Sequence, residues 1–250
     1  MMKALVKAFA GLLLTITATV ASAEPRALIV VTSHDKMGDT DERTGLWLSE
    51  MTHPYHELTN AGIDVELASI QGGAAPVDPR SLGEDDQINK TFMANPATRS
   101  LLDNTKKLAN VDPSRYQAIV FAGGHGTVWD FSESQAVNDI GYAIYEHGGI
   151  VAAVCHGPAA LLNIRDTKGN LIIDGKQVAG FSNAEEQAVG LTDVVPYLLQ
   201  DELEKSGAGY REGKMFKSFV VQDGRLITGQ NPQSAMELGR KLAASLTDKS

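Results

Sequence analysis

The chain contains one cysteine, Cys155, in the run IVAAV-CHGP-AALLN, where a buried apolar segment passes through a tight turn directly into a helical segment. A cysteine so placed lies at the carboxyl end of a strand, beside a helix N-terminus whose amides and dipole favour a thiolate, so the turn is expected to lower its pKa. His156 follows immediately. Its backbone amide suits an oxyanion donor and its imidazole a general base, and a carboxylate is then required to hold the ring's tautomer. Glu185 and Glu186, adjacent in FSNAEE, are both candidates. Gly123 and Gly124 end another apolar run and, lacking Cβ, can bring backbone amides close to a developing oxyanion, although a bare glycine pair also makes an ordinary turn.

Other residues carry weaker signals. His125, Trp129 and Phe131 follow the glycine pair; His125 and Trp129 are candidate substrate-binding residues. His53 and His56 are three apart, but Pro54 separates them and no third ligand matches, so no metal site is expected. The chain has neither a Gly-Lys-Ser/Thr phosphate loop nor a Gly-x-Gly-x-x-Gly helix opening, so no nucleotide cofactor is expected.

The elements that must position these groups follow an alternating rhythm of short apolar runs and helical patterns, the signature of parallel strands joined by helical crossovers. Strands are expected at 27–32, 65–70, 116–122 and 150–154. A helix is expected over 44–61, broken in two by Pro54, with Trp47, Met51, Tyr55 and Leu58 on one face. Residues 71–96 form a connection too long for a simple turn, of the kind that covers something. Pro96 opens a helix to about Leu108, and another spans 134–147. Asp174-Gly175 and Asp223-Gly224 signal two hairpins, and helices at 193–205 and 232–246 complete one domain, 24–250.

Residues 1–23 read as a secretory signal: Lys3 and Lys7, an apolar stretch, then Ala21-Ser22-Ala23 before Glu24. The expected destination is the periplasm or the medium, with no membrane attachment after cleavage. A lone cysteine cannot make an intramolecular disulfide there. The net charge of −9 becomes more negative once those lysines leave, which argues against nucleic acid or anionic membranes as partners.

Five blocks in order, LWLSEMTHPYHELTNAGIDVELAS, FAGGHGTVWD, AVCHGPAALL, VAGFSNAEE and DGRLITGQNPQSA, resemble the ThiJ/PfpI superfamily of class I glutamine amidotransferase-like proteins, in the branch of heat-shock chaperones and cofactor-independent glyoxalase III. The resemblance spans about residues 27–245. It implies an α/β flavodoxin-like three-layer sandwich with a mostly parallel sheet, commonly a homodimer, and no cofactor. It assigns Cys155 as nucleophile, His156 as its neighbour, Glu186 as the orienting acid by its spacing after GFS, and Glu50 as the glutamate against the thiol. Two anions side by side repel, so Glu50 and Cys155 are expected to share a proton.

The implied reaction is glutathione-independent conversion of a small carbonyl substrate, a methylglyoxal-like 2-oxoaldehyde, to a 2-hydroxy acid. Two rival readings use the same residues: a cysteine amidase or deglycase, and a stress-response holdase that binds unfolded-protein clients, with Cys155 as redox sensor. No histidine follows His156, so the late His-x-Glu pair of glutamine amidotransferases is missing.

Overall fold

A computed structural model describes residues 25–248; the signal-peptide reading of 1–23 lies outside them. Along the chain run β1 (Arg26–Val31), α1 (Leu48–Asn60), β2 (Asp64–Ser69), α2 (Gln87–Ala94), α3 (Pro96–Asp103), β3 (Lys106–Lys107), β4 (Ala118–Phe121), α4 (Thr127–Asp130), α5 (Gln135–Glu146) and β5 (Ile150–Val154). Then follow β6 (Gln177–Val178), α6 (Asn183–Ala188), α7 (Leu199–Lys205), β7 (Gly209–Tyr210), β8 (Val220–Asp223), β9 (Leu226–Gly229) and α8 (Ala235–Thr247).

The main sheet has seven strands in the order β3-β2-β1-β4-β5-β9-β8. Among the described residues, only the β8–β9 pairing of this sheet is antiparallel. Helices cover such a sheet on both sides, which is why AIVF in β4 and IVAAV in β5 are apolar without alternation and buried at every position. Helices α1 and α8 pack on one another, α1 against β1 and α8 against β5 and β9, while α5 packs against β4 and β5. This is the flavodoxin-like α/β architecture that the resemblance implies. Among the described residues, no helix is long and apolar enough to cross a membrane.

Five local expectations need correction. Pro54 does not break α1, which runs unbroken from Leu48. The proline removes one amide from the helix ladder, but it is buried where α8 approaches so closely that a Cβ on Gly239 would lie 2.9 Å from the Pro54 Cα. Tertiary packing holds the turn that the proline weakens. The flanks of Asp174-Gly175 do not pair with each other; β6 instead pairs in parallel with β7. Helix α3 stops at Asp103, and α7 begins only at Leu199, after Pro196. The segment after Cys155 is a 3-10 turn, Gly157–Leu162, rather than an α-helix. The second hairpin, β8–β9, forms around Gly224 as expected.

Gly239→Val should destabilise the α1–α8 contact by about 1–3 kcal/mol, the usual cost of overpacking. A thermal scan should therefore show a midpoint lowered by about 2–4 °C for each kcal/mol.

Candidate active site

Strands β4 and β5 lie side by side, with Phe121 in register with Ala153. Their carboxyl ends therefore bring Gly123-Gly124 next to Cys155, close to where the strand order reverses between β1 and β4, the usual position of a site in an open α/β sheet. Cys155 has φ +58°, a left-handed conformation that costs a non-glycine residue about 1–2 kcal/mol. It is pinned on both sides: its N–H donates to the Gly229 carbonyl at 2.9 Å, and its carbonyl accepts from Phe181 N at 2.8 Å. The chain can turn so sharply because residue 157 is glycine; a Cβ there would run into the Phe121 carbonyl.

Glu50 reaches the same point from the first turn of α1. The Trp47 amide donates to the Gly123 carbonyl at 3.2 Å. Gly124, at φ +102°, passes so near Gly45 and Trp47 that only glycine fits. The Glu50 side chain is fully buried, and among the described residues neither carboxyl oxygen has a hydrogen bond of good geometry. Burial raises its pKa well above the carboxylate range, and the facing Cys155 thiol and Gly123 amide offset this only partly. Glu50 is therefore protonated at rest.

The Cys155 thiol is also raised, by burial first and then by Glu50, Glu185 and Glu186. This corrects the expected depression. The thiol is only 4% exposed, a 3-10 turn replaces the α-helix dipole, and the nearby charges are acidic. The resting form is a thiol that must be deprotonated when it reacts.

The base for that step is in place. Cys155 Sγ lies 3.4 Å from His156 Nδ1, and His156 Nε2 lies 2.8 Å from Glu186 Oε2. The second oxygen of Glu186 lies 3.0 Å from His125 Nε2. Arg80 Nη2, which can only donate, points at His125 Nδ1 at 3.2 Å. That contact makes Nδ1 the acceptor and Nε2–H the donor, so His125 is neutral. Burial, then the neighbouring His156, pushes its pKa down to about 4. Burial opposes ionisation of Glu186, but the two imidazoles outweigh it and hold the carboxyl well below its usual range. One ring nitrogen each of His125 and His156 and a carboxylate oxygen of Glu186 lie within 4.8 Å of one another, and both histidine–carboxylate contacts are at hydrogen-bond length.

The adjacent acids thus separate cleanly. Glu186 faces the histidines, whereas Glu185 is fully buried and takes five donor contacts from neutral groups: Ser182 N and Oγ, Gln230 Nε2, Asn231 Nδ2 and Phe216 N.

The remaining candidates divide. The Gly123 amide faces Glu50, so the amides of Gly124 and His156 are the ones left for an oxyanion; among the described residues neither finds a backbone acceptor. His125 borders the pocket, but both ring nitrogens are engaged, so it supports Glu186 rather than offering a free group to substrate. Trp129 does not line the pocket. It stacks on His34 with ring centroids 5.0 Å apart, because α4 turns it away from Cys155, and Phe131 packs in the core on Phe121. His53 pairs with Asp86 and His56 with Asn60, so the two share no ligand.

The aromatic wall comes instead from Trp47, Phe181 and Phe216, around a cavity of about 380 Å³ that reaches Cys155 and Glu50. Arg80 also borders it, held by both oxygens of the buried Asp78. Sequence reasoning missed Arg80 and Asp78; the one signal was the length of the 71–96 connection that carries them.

The DJ-1/PfpI family model matches residues 44–245. Glyoxalase 3 of Candida albicans is 33% identical over 88% of this chain and 98% of its own. The crystal structure of glyoxalase III from Candida albicans superimposes with a TM-score of 0.83 at 32% identity, covering 88% of this chain and 97% of that one. The X-ray structure of Francisella tularensis Rapid Encystment Protein 24 KDa gives a TM-score of 0.87 at 44% identity, covering 90% and 100%.

His125 is held neutral in the fold with a pKa of about 4, whereas the unfolded chain protonates this ring near pH 6.5. Between those values the unfolded state binds more protons, so stability should fall as the pH drops from about 6.5 to about 4, by on the order of 3 kcal/mol for this group. Urea unfolding across this range should show the decline, and His125→Gln should flatten it.

Proposed function

Because the chain belongs to the DJ-1/PfpI family, we propose that it is a glutathione-independent glyoxalase that converts 2-oxoaldehydes to 2-hydroxy acids without a cofactor. The observation that carries this reading is the buried, protonated Glu50 against the Cys155 thiol at the foot of a partly apolar cavity. Such a pair fits a reaction that moves a proton between neighbouring carbons. The names of Glyoxalase 3 and of the Saccharomyces cerevisiae glutathione-independent glyoxalase HSP31, 32% identical over 85% of this chain, support it.

In the proposed sequence His156 Nδ1 takes the thiol proton while Glu186 stabilises the imidazolium that forms. Sγ adds to the aldehyde carbon, giving a hemithioacetal whose oxyanion meets the amides of Gly124 and His156. Glu50 gives its proton to the keto oxygen and, as carboxylate, takes the hydrogen from the former aldehyde carbon. The resulting enediol is reprotonated at the neighbouring carbon. One carbon is oxidised and the other reduced, so no external oxidant is needed. Water then cleaves the thioester, releasing the 2-hydroxy acid and the thiol.

Export and dimerisation belong to the same proposal, supported by residues 1–23 and by the family resemblance respectively. N-terminal sequencing of the exported protein should begin at Glu24.

Purified protein given methylglyoxal without glutathione should form lactate. Cys155→Ala should abolish turnover, and Glu50→Gln should lower kcat by about 10²–10⁴-fold, the usual contribution of a positioned acid–base group. Wild-type turnover by Cys155→Ala would overturn the reading. Release of ammonia from peptide amides with no lactate formed would favour the amidase alternative.

A further inference from the structure

Phe216 is one of two non-glycine residues with positive φ among those described, at +53°; the other is Cys155. It lines the cavity mouth and is 37% exposed. A bulky aromatic residue keeps a left-handed backbone only where its surroundings over-determine it. Here the constraint is specific: the Phe216 amide donates to Glu185 Oε1 at 2.8 Å, and the next carbonyl, of Lys217, accepts from Asn231 Nδ2 at 2.9 Å. Upstream, the Gly213 amide donates to Gln230 Oε1 at 2.7 Å. Gln230 and Asn231 are themselves bonded to Glu185.

One buried carboxylate therefore ties together three chain segments, each of which supplies part of the cavity wall. Phe181 immediately precedes Ser182, Phe216 is itself a wall residue, and Pro232 directly follows Asn231. All of the donors to Glu185 are neutral, and the proposed chemistry does not use it.

The cavity, about 380 Å³, falls within the roughly 300–1,000 Å³ range of pockets that hold drug-sized ligands, far more than a three-carbon dicarbonyl fills. Phe181, Val189 and Phe216 are among the residues that line it, and Val189 and Phe216 are exposed apolar side chains. Burying an apolar substituent there removes it from water, and aromatic rings add edge or stacking contacts.

We propose that Phe216 is a specificity-determining residue that selects 2-oxoaldehydes bearing a large apolar or aromatic substituent on the keto carbon, and that Glu185 is a positioning residue that holds it at the cavity mouth. The inference rests on the glyoxalase reading and names the substrate class for that site.

The test compares methylglyoxal with phenylglyoxal, measuring kcat and KM separately and identifying lactate and mandelate as products. The wild-type protein should show the higher kcat/KM with phenylglyoxal. Phe216→Ala should lower the phenylglyoxal-to-methylglyoxal ratio of kcat/KM by about 10-fold or more, the scale of a lost apolar contact, mainly through KM, and Phe216→Leu should restore part of it. Glu185→Gln should shift the ratio in the same direction. Should that variant fail to fold, the Phe216 series decides alone.

A ratio unchanged in Phe216→Ala, or a wild-type preference for methylglyoxal, would overturn this inference and leave the glyoxalase reading standing. Failure of the wild-type protein to convert either aldehyde would overturn both.

Discussion

A carboxyl group sealed against a thiol, with no well-formed hydrogen bond to either oxygen, is the constraint around which this site is built. A charged carboxylate in that place would cost far more than the surroundings return, so the group stays protonated. Holding it there requires α1 to begin almost in contact with the loop that follows β4. That approach needs glycine at 123 and 124, since a side chain at either would strike Glu50 or the backbone entering α1. The left-handed turn at Cys155 completes the arrangement by presenting the sulfur to the same space. Two uncomfortable features, a strained residue and an unsatisfied buried acid, thus meet where an incoming carbonyl compound could use both.

The rest of the polar network compensates the negative charge of the acids beside that pair. Glu186 is ionised, but two histidine N–H groups hold its charge, and Arg80 fixes which nitrogen of His125 can donate. The Arg80 charge is in turn met by Asp78, itself bonded to Thr44. The line from Asp78 to Cys155 leaves each histidine a single sensible tautomer, which is the preorganisation a general base needs. Glu185 sits one residue from Glu186 yet belongs to a different network, the one that shapes the far wall of the cavity.

Much of the frame was legible because it depends on local pattern. Unbroken apolar runs marked β1, β4 and β5; the strand–Cys-His-Gly–turn motif marked the elbow; and Gly148-Gly149 marked the end of α5. The errors arose where distant packing overrode local preference. Pro54 predicts a broken helix, but α8 lies against it and holds the turn. Asp174-Gly175 predicts a hairpin, but β6 finds its partner some thirty residues away in β7. Trp129 lies near the glycine pair in sequence, yet α4 carries it onto His34, and the aromatic wall is assembled from residues as far apart as Trp47 and Phe216. The same distance effect reversed the thiol's expected shift, because proximity of three acids and loss of water are not visible in the elbow motif.

Local pattern was enough to set the layered frame, the position of the cysteine at a strand end and the two glycines beside it, because strand, turn and close approach follow from side-chain size and branching among near neighbours. Residue types alone left Glu185 and Glu186 both open and the resemblance assigned Glu186, but which side chain reaches the histidine is visible only in three dimensions. Glu185 and Glu186 are adjacent on one short helix, so their side chains leave its axis about 100° apart. The placement of α6 turns Glu186 toward His156 and Glu185 toward Ser182, Gln230 and Asn231.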